Sequence, residues 1–258
     1  MRPLTVLLAV ATGLATVQGP AADAGADPTC HGLAATIVGT SGRDVLKGTP
    51  GPDVIAALEG DDVVKGRGGD DVVCGGPGHD YLVASRGHDV LIGGPQGDRI
   101  DAFSRRPTVV RGGGGADILF LGLSDEPGYV LDGGRGHDIG DVRLGRATAG
   151  GPTTVIRRGP GQFVRDGSVT GAFLSIEVLG LDGQTGYEYY GTRAQDVVSI
   201  SDGAFPFRAW TYGGDDEVVS YEGDDVIDTG GGRDRVDAGP GEDVCLNAER
   251  ARGCESGS

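Results

Sequence analysis

Residues 39–101 read, in seven consecutive groups of nine, GTSGRDVLK, GTPGPDVIA, ALEGDDVVK, GRGGDDVVC, GGPGHDYLV, ASRGHDVLI and GGPQGDRID. Asp44, Asp53, Asp62, Asp71, Asp80, Asp89 and Asp98 stand nine apart, and two residues after each comes an aliphatic: Leu46, Ile55, Val64, Val73, Leu82, Leu91 and Ile100. A glycine sits two residues before each aspartate except at Gln96, where it has moved one place to Gly97. A fixed period carrying one turn, one carboxylate and one apolar residue is the mark of a solenoid. One apolar residue in nine cannot fill a globular core, but a parallel coil stacks that position from turn to turn, about 4.8 Å apart. The glycines allow backbone angles closed to other residues, so the chain can reverse within a few residues. The turns then hold columns of aspartates, which repel one another unless a cation joins them. A hard divalent ion takes six to eight oxygens from carboxylates and backbone carbonyls, as calcium does.

Gly-Gly-x-Gly-x-Asp-x-aliphatic-x resembles the calcium-binding nonapeptide of the RTX, or hemolysin-type, family, and the resemblance covers all of residues 39–101. It implies an all-β, right-handed parallel β-roll in which two groups make one coil, so that like turns lie eighteen residues apart. Calcium would then lie between Asp44 and Asp62, Asp62 and Asp80, and Asp80 and Asp98 on one edge, and between Asp53 and Asp71 and Asp71 and Asp89 on the other. The same register returns over residues 211–246, where Asp216, Asp225, Asp234 and Asp243 follow Gly214, Gly223, Gly232 and Gly241. That implies two further Ca2+ sites, between Asp216 and Asp234 and between Asp225 and Asp243.

Composition agrees with this reading. The 51 glycines in 258 residues show no three-residue period, which argues against collagen, and their register with aspartates and aliphatics argues against disorder. A net charge of −16 excludes a general nucleic-acid binder and suits a cation binder. Residues 1–24 resemble a secretory leader: Arg2, an apolar run from Leu4 to Val17, and Ala22-Asp23-Ala24 as a cleavage site. No stretch is long enough for a membrane span, so a soluble, secreted, extracellular monomer is expected. Cys30, Cys74, Cys245 and Cys254 fit an oxidising compartment and permit three pairings. Cys30 with Cys74 and Cys245 with Cys254 is the expected set, because each pair then pins one end of the array.

The chain divides on this reading into an N-terminal cap over 25–38, the regular array over 39–101, degenerate repeats and irregular solenoid over 102–210, the second array over 211–246, and a tail over 247–258 that Cys254 pins as a lid. The turn at Gln96 is expected to be weakened. Asp117 and Asp138 close two good groups but lie 21 apart, and a loop over Ser124 to Gly128 is the place for the added residues, so spacing alone leaves ion binding there open. Ser175-Ile176-Glu177 and Gly191 to Val198 resemble the transitional segments that flank such arrays, and the coil is expected to continue through the middle, with a separately folded insert as the competitor. Ten of the fourteen aromatics fall between Phe163 and Tyr221, where a wider coil needs larger fillers; of Tyr189 and Tyr190 only one can point inward.

Catalytic motifs are absent. No His-Glu-x-x-His or Gly-x-Ser-x-Gly occurs, and the run at Gly112 lacks the Lys-Ser or Lys-Thr of a phosphate loop. His79, His88 and His137 occupy the variable place before a repeat aspartate, where a solvated turn residue is the expectation. The sequence therefore predicts a non-enzymatic, calcium-binding, structural or adhesive extracellular module that folds with its ions, with an extracellular polysaccharide or cell-surface partner. The competing expectation is a polysaccharide-acting enzyme in the middle section, which would gather Glu177, Glu188 or Asp182 in a groove with exposed Tyr or Trp.

Overall fold

The computed structural model describes residues 28–104, 106–124, 126–144, 154–157, 161–165, 168–182, 186–202 and 205–256. The expected leader, residues 1–24, and the start of the cap lie outside them. Among the described residues there is no helix: the chain winds between an 11-stranded and a 14-stranded sheet as a parallel β-solenoid. Each regular group supplies one short strand, alternately to one sheet and the other, so neighbours within a sheet are eighteen residues apart: Val63 pairs with Tyr81 and Val72 with Val90.

This register stacks the repeat aliphatics into two inward rows. Val64, Leu82, Ile100 and Leu119 align in the 11-stranded sheet, and Ile55, Val73, Leu91, Val110 and Leu131 in the other, all without exposed surface. At about 1.5–3 kcal/mol for each buried side chain, these rows are the main apolar stabilisation of a fold that lacks a globular core. Gly140 falls in the first row where an aliphatic is expected; Leu131 and Ile176 fill the space, so that a Cβ at Gly140 would stand 2.9 Å from Leu131 Cδ2 and 3.1 Å from Ile176 Cγ2.

The coil continues through the middle instead of yielding to a separate insert. Strands Ile118–Leu123, Ile139–Leu144, Val178–Asp182 and Val197–Asp202 follow one another in parallel within the 11-stranded sheet. In the other sheet an antiparallel excursion, Thr154–Arg157, Gln162–Arg165 and Ser168–Leu174, is interposed before parallel pairing resumes at Tyr187–Tyr190. Large fillers sit here: Phe163 and Phe173 pack with ring centroids 5.0 Å apart, and Tyr187, Tyr189 and Phe207 are buried. Tyr189 is the inward member of its pair, while half-buried Tyr190 stacks on Trp210 at 4.9 Å. Phe205, Tyr212 and Tyr221 are exposed, so core packing accounts for only part of the aromatic cluster.

Disulfides join Cys30 to Cys74 and Cys245 to Cys254. At the N-terminal end Ile37–Val38 is the outermost strand of the 14-stranded sheet, preceded by an antiparallel pair, Thr29–Cys30 with Leu33–Ala34. The tail, joined to the last coil by the Cys245–Cys254 disulfide, covers it as strands. Arg250–Arg252 and Cys254–Ser256 add one more strand to each sheet, and this backbone pairing satisfies donors and acceptors of the coil beneath.

Candidate metal centres

Two edges carry the turns: a first edge, leading into the 11-stranded sheet, and a second, leading into the 14-stranded one. In the regular turn from Gly66 to Asp71 the chain leaves one strand and reaches its aspartate five residues later. The glycine two before the aspartate is held where the coils touch. Gly87 has φ +130°, and a Cβ there would overlap the carbonyl oxygen of Gly69 in the coil below. Stacking at this distance brings each aspartate onto the next: the Asp44 N–H donates to Asp62 Oδ1 at 2.7 Å, Asp62 to Asp80 at 2.9 Å and Asp80 to Asp98 at 2.8 Å. On the second edge Asp53 donates to Asp71 and Asp71 to Asp89, each at 3.0 Å. In the later array Asp216 donates to Asp234 and Asp225 to Asp243, each at 2.9 Å. All seven pairs expected from the repeat are therefore direct neighbours.

The columns also run past the regular repeats. Asp98 N–H donates to Asp117 Oδ1 at 2.7 Å, Asp117 to Asp138 at 2.9 Å, and Asp138 to Glu177 Oε2 at 2.6 Å. Further along, Asp196 donates to Asp216, Asp234 to Glu249 and Asp243 to Glu255. The first edge thus keeps its carboxylates through the irregular middle. The second edge does not: after Asp89 its next rung is Thr108, and among the described residues the next carboxylate hydrogen-bonded on that edge is Asp225, which accepts the Phe207 N–H at 2.8 Å. Sequence reasoning left Asp117 and Asp138 open and gave no role to Glu249 or Glu255. The structure shows what the glutamate turns share: Ser175, Asn247 and Gly253, each two residues before a glutamate, all have positive φ, at 51°, 61° and 75°.

The second oxygen of each carboxylate defines the chemistry. Asp62, Asp71, Asp80, Asp89, Asp98, Asp117, Asp138, Asp216, Asp225, Asp234 and Asp243 are buried, and among the described residues no hydrogen-bond donor reaches their Oδ2. Burial pushes the Asp71 and Asp98 carboxyls up to about 7 and those of Asp80, Asp117 and Asp216 up to about 6, against the pull of the backbone N–H each accepts, joined at Asp216 by the stronger pull of the Thr211 hydroxyl, and with the help of repulsion from neighbouring aspartates. Such a column is held at neutral pH by protons or by cations. Three rungs are built differently. Thr40 N and Oγ1 donate to Asp44 Oδ2 at 2.6 and 2.9 Å, Thr49 N and Oγ1 donate to Asp53 Oδ2 at 2.6 and 3.0 Å, and Thr192 N donates to Asp196 Oδ2 at 2.8 Å. Each threonine turn thus supplies from the protein the donors that the interior rungs lack.

The surroundings of these oxygens suit calcium. A Cβ on Gly112 would overlap Asp117 Oδ2 and stand 2.6 Å from the Gly133 carbonyl oxygen, so a carboxylate oxygen and a carbonyl of the next coil converge on the bare glycine. Among the described residues no three His, Cys, Asp or Glu side chains form a metal-binding group. An ion here would combine carboxylates with backbone carbonyls, an all-oxygen set typical of calcium and unlike the nitrogen and sulfur sets of zinc. In the later array Thr211 and Ser220 replace that glycine, and their hydroxyls donate to the carbonyls of Thr229 and Ala238 at 3.1 and 2.9 Å.

The turn at Gln96 keeps its shape: Gln96 takes φ +73° in place of glycine, and its Oε1 accepts the Gly78 N–H at 3.1 Å. His79, His88 and His137 are exposed turn residues. Glu177 lies on the first edge, whereas Glu188 lies on the outer face of the 14-stranded sheet, where it accepts the Tyr190 hydroxyl at 3.2 Å. The side chain of Asp182 falls outside what the structure describes.

Known families point the same way. The RTX calcium-binding nonapeptide repeat matches in four copies, over residues 38–73, 75–102, 109–125 and 210–245. No curated protein matches the chain. With nonapeptides in register, aspartates stacked eighteen apart and a parallel coil between two sheets, the chain carries RTX calcium-binding nonapeptide repeats wound into a β-solenoid.

Proposed function

We propose that this protein is a secreted calcium-binding β-roll that folds as it takes up several Ca2+ ions along its two edges, and that its outward role is structural or adhesive. The observation that carries this reading is the set of eleven buried Asp Oδ2 atoms that accept no hydrogen bond, stacked on the two edges. The expected ligands are Asp62, Asp71, Asp80, Asp89, Asp98, Asp216, Asp225, Asp234 and Asp243, with Asp44 and Asp53 as the threonine-anchored first rungs. Ions bind the coil and not the open chain, so stability rises with free calcium. Sites of extracellular modules bind at about 10⁻⁴ to 10⁻³ M, which would leave these filled outside a cell and empty within one. Both disulfides support an oxidising destination. The half-buried Tyr190–Trp210 stack and the exposed Tyr212 and Tyr221 support a contact surface. A non-catalytic role is supported by the separation of Glu177 and Glu188 onto an edge and a sheet face.

Calorimetric calcium titration of the disulfide-intact chain tests the proposal. Uptake of several ions is expected; no binding at millimolar calcium would overturn it.

A further inference from the structure

The first-edge column does not stop where the aspartates stop. Its last rung before the Asp196 column is built by Ser175-Ile176-Glu177, in a segment that the nonapeptide repeat does not match. This turn is three residues shorter than a regular one: Ser175, with φ 51°, takes the place of the first turn glycine, and the carboxylate follows after two residues instead of five. Buried Ile176 anchors it by packing, beside Leu131, into the space left by Gly140. The longer side chain of Glu177 then covers the distance that the shorter turn leaves, and its Oε2 accepts the Asp138 N–H at 2.6 Å, as Oδ1 does on the interior aspartate rungs such as Asp117 and Asp138.

Below this turn the surroundings match those of the interior rungs. Asp138 has no exposed surface, and its Oδ2 is buried with no hydrogen-bond donor. A Cβ on Gly133 would stand 2.5 Å from Asp138 Oδ2 and would overlap the carbonyl oxygen of Ser175, just as one on Gly112 meets Asp117 Oδ2 and the Gly133 carbonyl. We propose that Asp138, the Ser175 carbonyl and Glu177 form a further calcium site, in which a glutamate on a shortened turn closes the column. The inference rests on the calcium reading of the columns and adds one ion to it. The glutamate rung at Glu249 differs: beneath it Thr229 stands in place of the bare glycine, and its Oγ1 donates to the Leu246 carbonyl at 3.4 Å.

The test counts bound calcium by native mass spectrometry and equilibrium dialysis on the full disulfide-intact chain, comparing the parent protein with Glu177→Gln and Asp71→Asn. Gln keeps an oxygen for the Asp138 N–H, so a purely structural cap would survive that change. Glu177→Gln is expected to bind one ion fewer, or to weaken one site at least tenfold, with unchanged β content. Glu177→Asp, one methylene shorter at the same charge, is expected to lose the same ion and serves if the Gln variant does not fold. Should Asp71→Asn lose calcium while both Glu177 variants keep the full count, the glutamate site is refuted and the column reading stands. Should none of the three lose calcium, the column reading falls and takes this site with it.

Discussion

Removing calcium at neutral pH should unwind this protein, and the structure sets the scale of the effect. Eleven buried aspartates each present an Oδ2 that accepts no hydrogen bond. Leaving a buried acceptor without a partner costs about 1–3 kcal/mol, more when it is charged, so eleven cost at least about 10–30 kcal/mol when ionised and unliganded. A folded domain has a net stability of only about 5–15 kcal/mol. The metal-free coil at pH 7.5 therefore has no reserve with which to hold its columns together, although the two disulfides still tie its ends. The assay is far-UV circular dichroism with size-exclusion chromatography, in millimolar calcium and after chelation. The expected result is a loss of β signal and an increase in hydrodynamic radius on chelation, both reversed by calcium but not by magnesium, which demands near-octahedral geometry and sheds water reluctantly. Equal β content and equal thermal midpoint with and without chelator would rule this out, because the orphaned oxygens would then have to be satisfied by something other than an ion.

Other outcomes follow from the same geometry. The carboxyls of Asp80, Asp117 and Asp216 are raised in the fold to about 6 and those of Asp71 and Asp98 to about 7, so folding of the metal-free chain takes up protons: its stability is greatest below the unfolded value near 3.8 and is lost as pH rises through about 6–7. Chelated protein moved from pH 7.5 to pH 5 should thus regain β signal in circular dichroism, and a lower content at pH 5 would contradict the sign. Gly87→Ala should cost about 3 kcal/mol or more in calcium-saturated urea unfolding, since it combines a positive φ with a Cβ that overlaps the Gly69 carbonyl. Gly42→Ala, at the same repeat position but in the first coil with nothing within 4 Å, should stay within about 0.5 kcal/mol by the same measurement. Replacing Cys30 and Cys74 together with Ser should cost about 4 kcal/mol in urea unfolding, against about 3 for the Cys245 and Cys254 pair, because the first closes the longer loop.

Much of the site was legible before folding because the repeat period and the strand register are one quantity. Nine residues make a strand and a turn, two such units make a coil, and so Asp62 had to lie over Asp44 and, in the core row, Leu82 over Val64. Where turn length changes, that legibility ends. Hydrogen bonding between strands keeps the rungs aligned whatever the turn contains, so column neighbours stand 19 apart at Asp98 and Asp117, 39 apart at Asp138 and Glu177, and 12 apart at Asp243 and Glu255. In the linear chain these residues share no period.

The order of residues alone was enough for the coil, its two inward rows and the seven aspartate pairs, because each follows from a spacing that only a stacked parallel strand can use. Folding in three dimensions was needed to show that the first edge stays acidic through the middle while the second gives way at Thr108, and that Thr40 and Thr49 already satisfy the carboxylates beside them. The same holds for Glu177 and its rung. A carboxylate's role here depends on which donors reach its second oxygen, and those donors come from neighbouring turns and coils whose lengths vary.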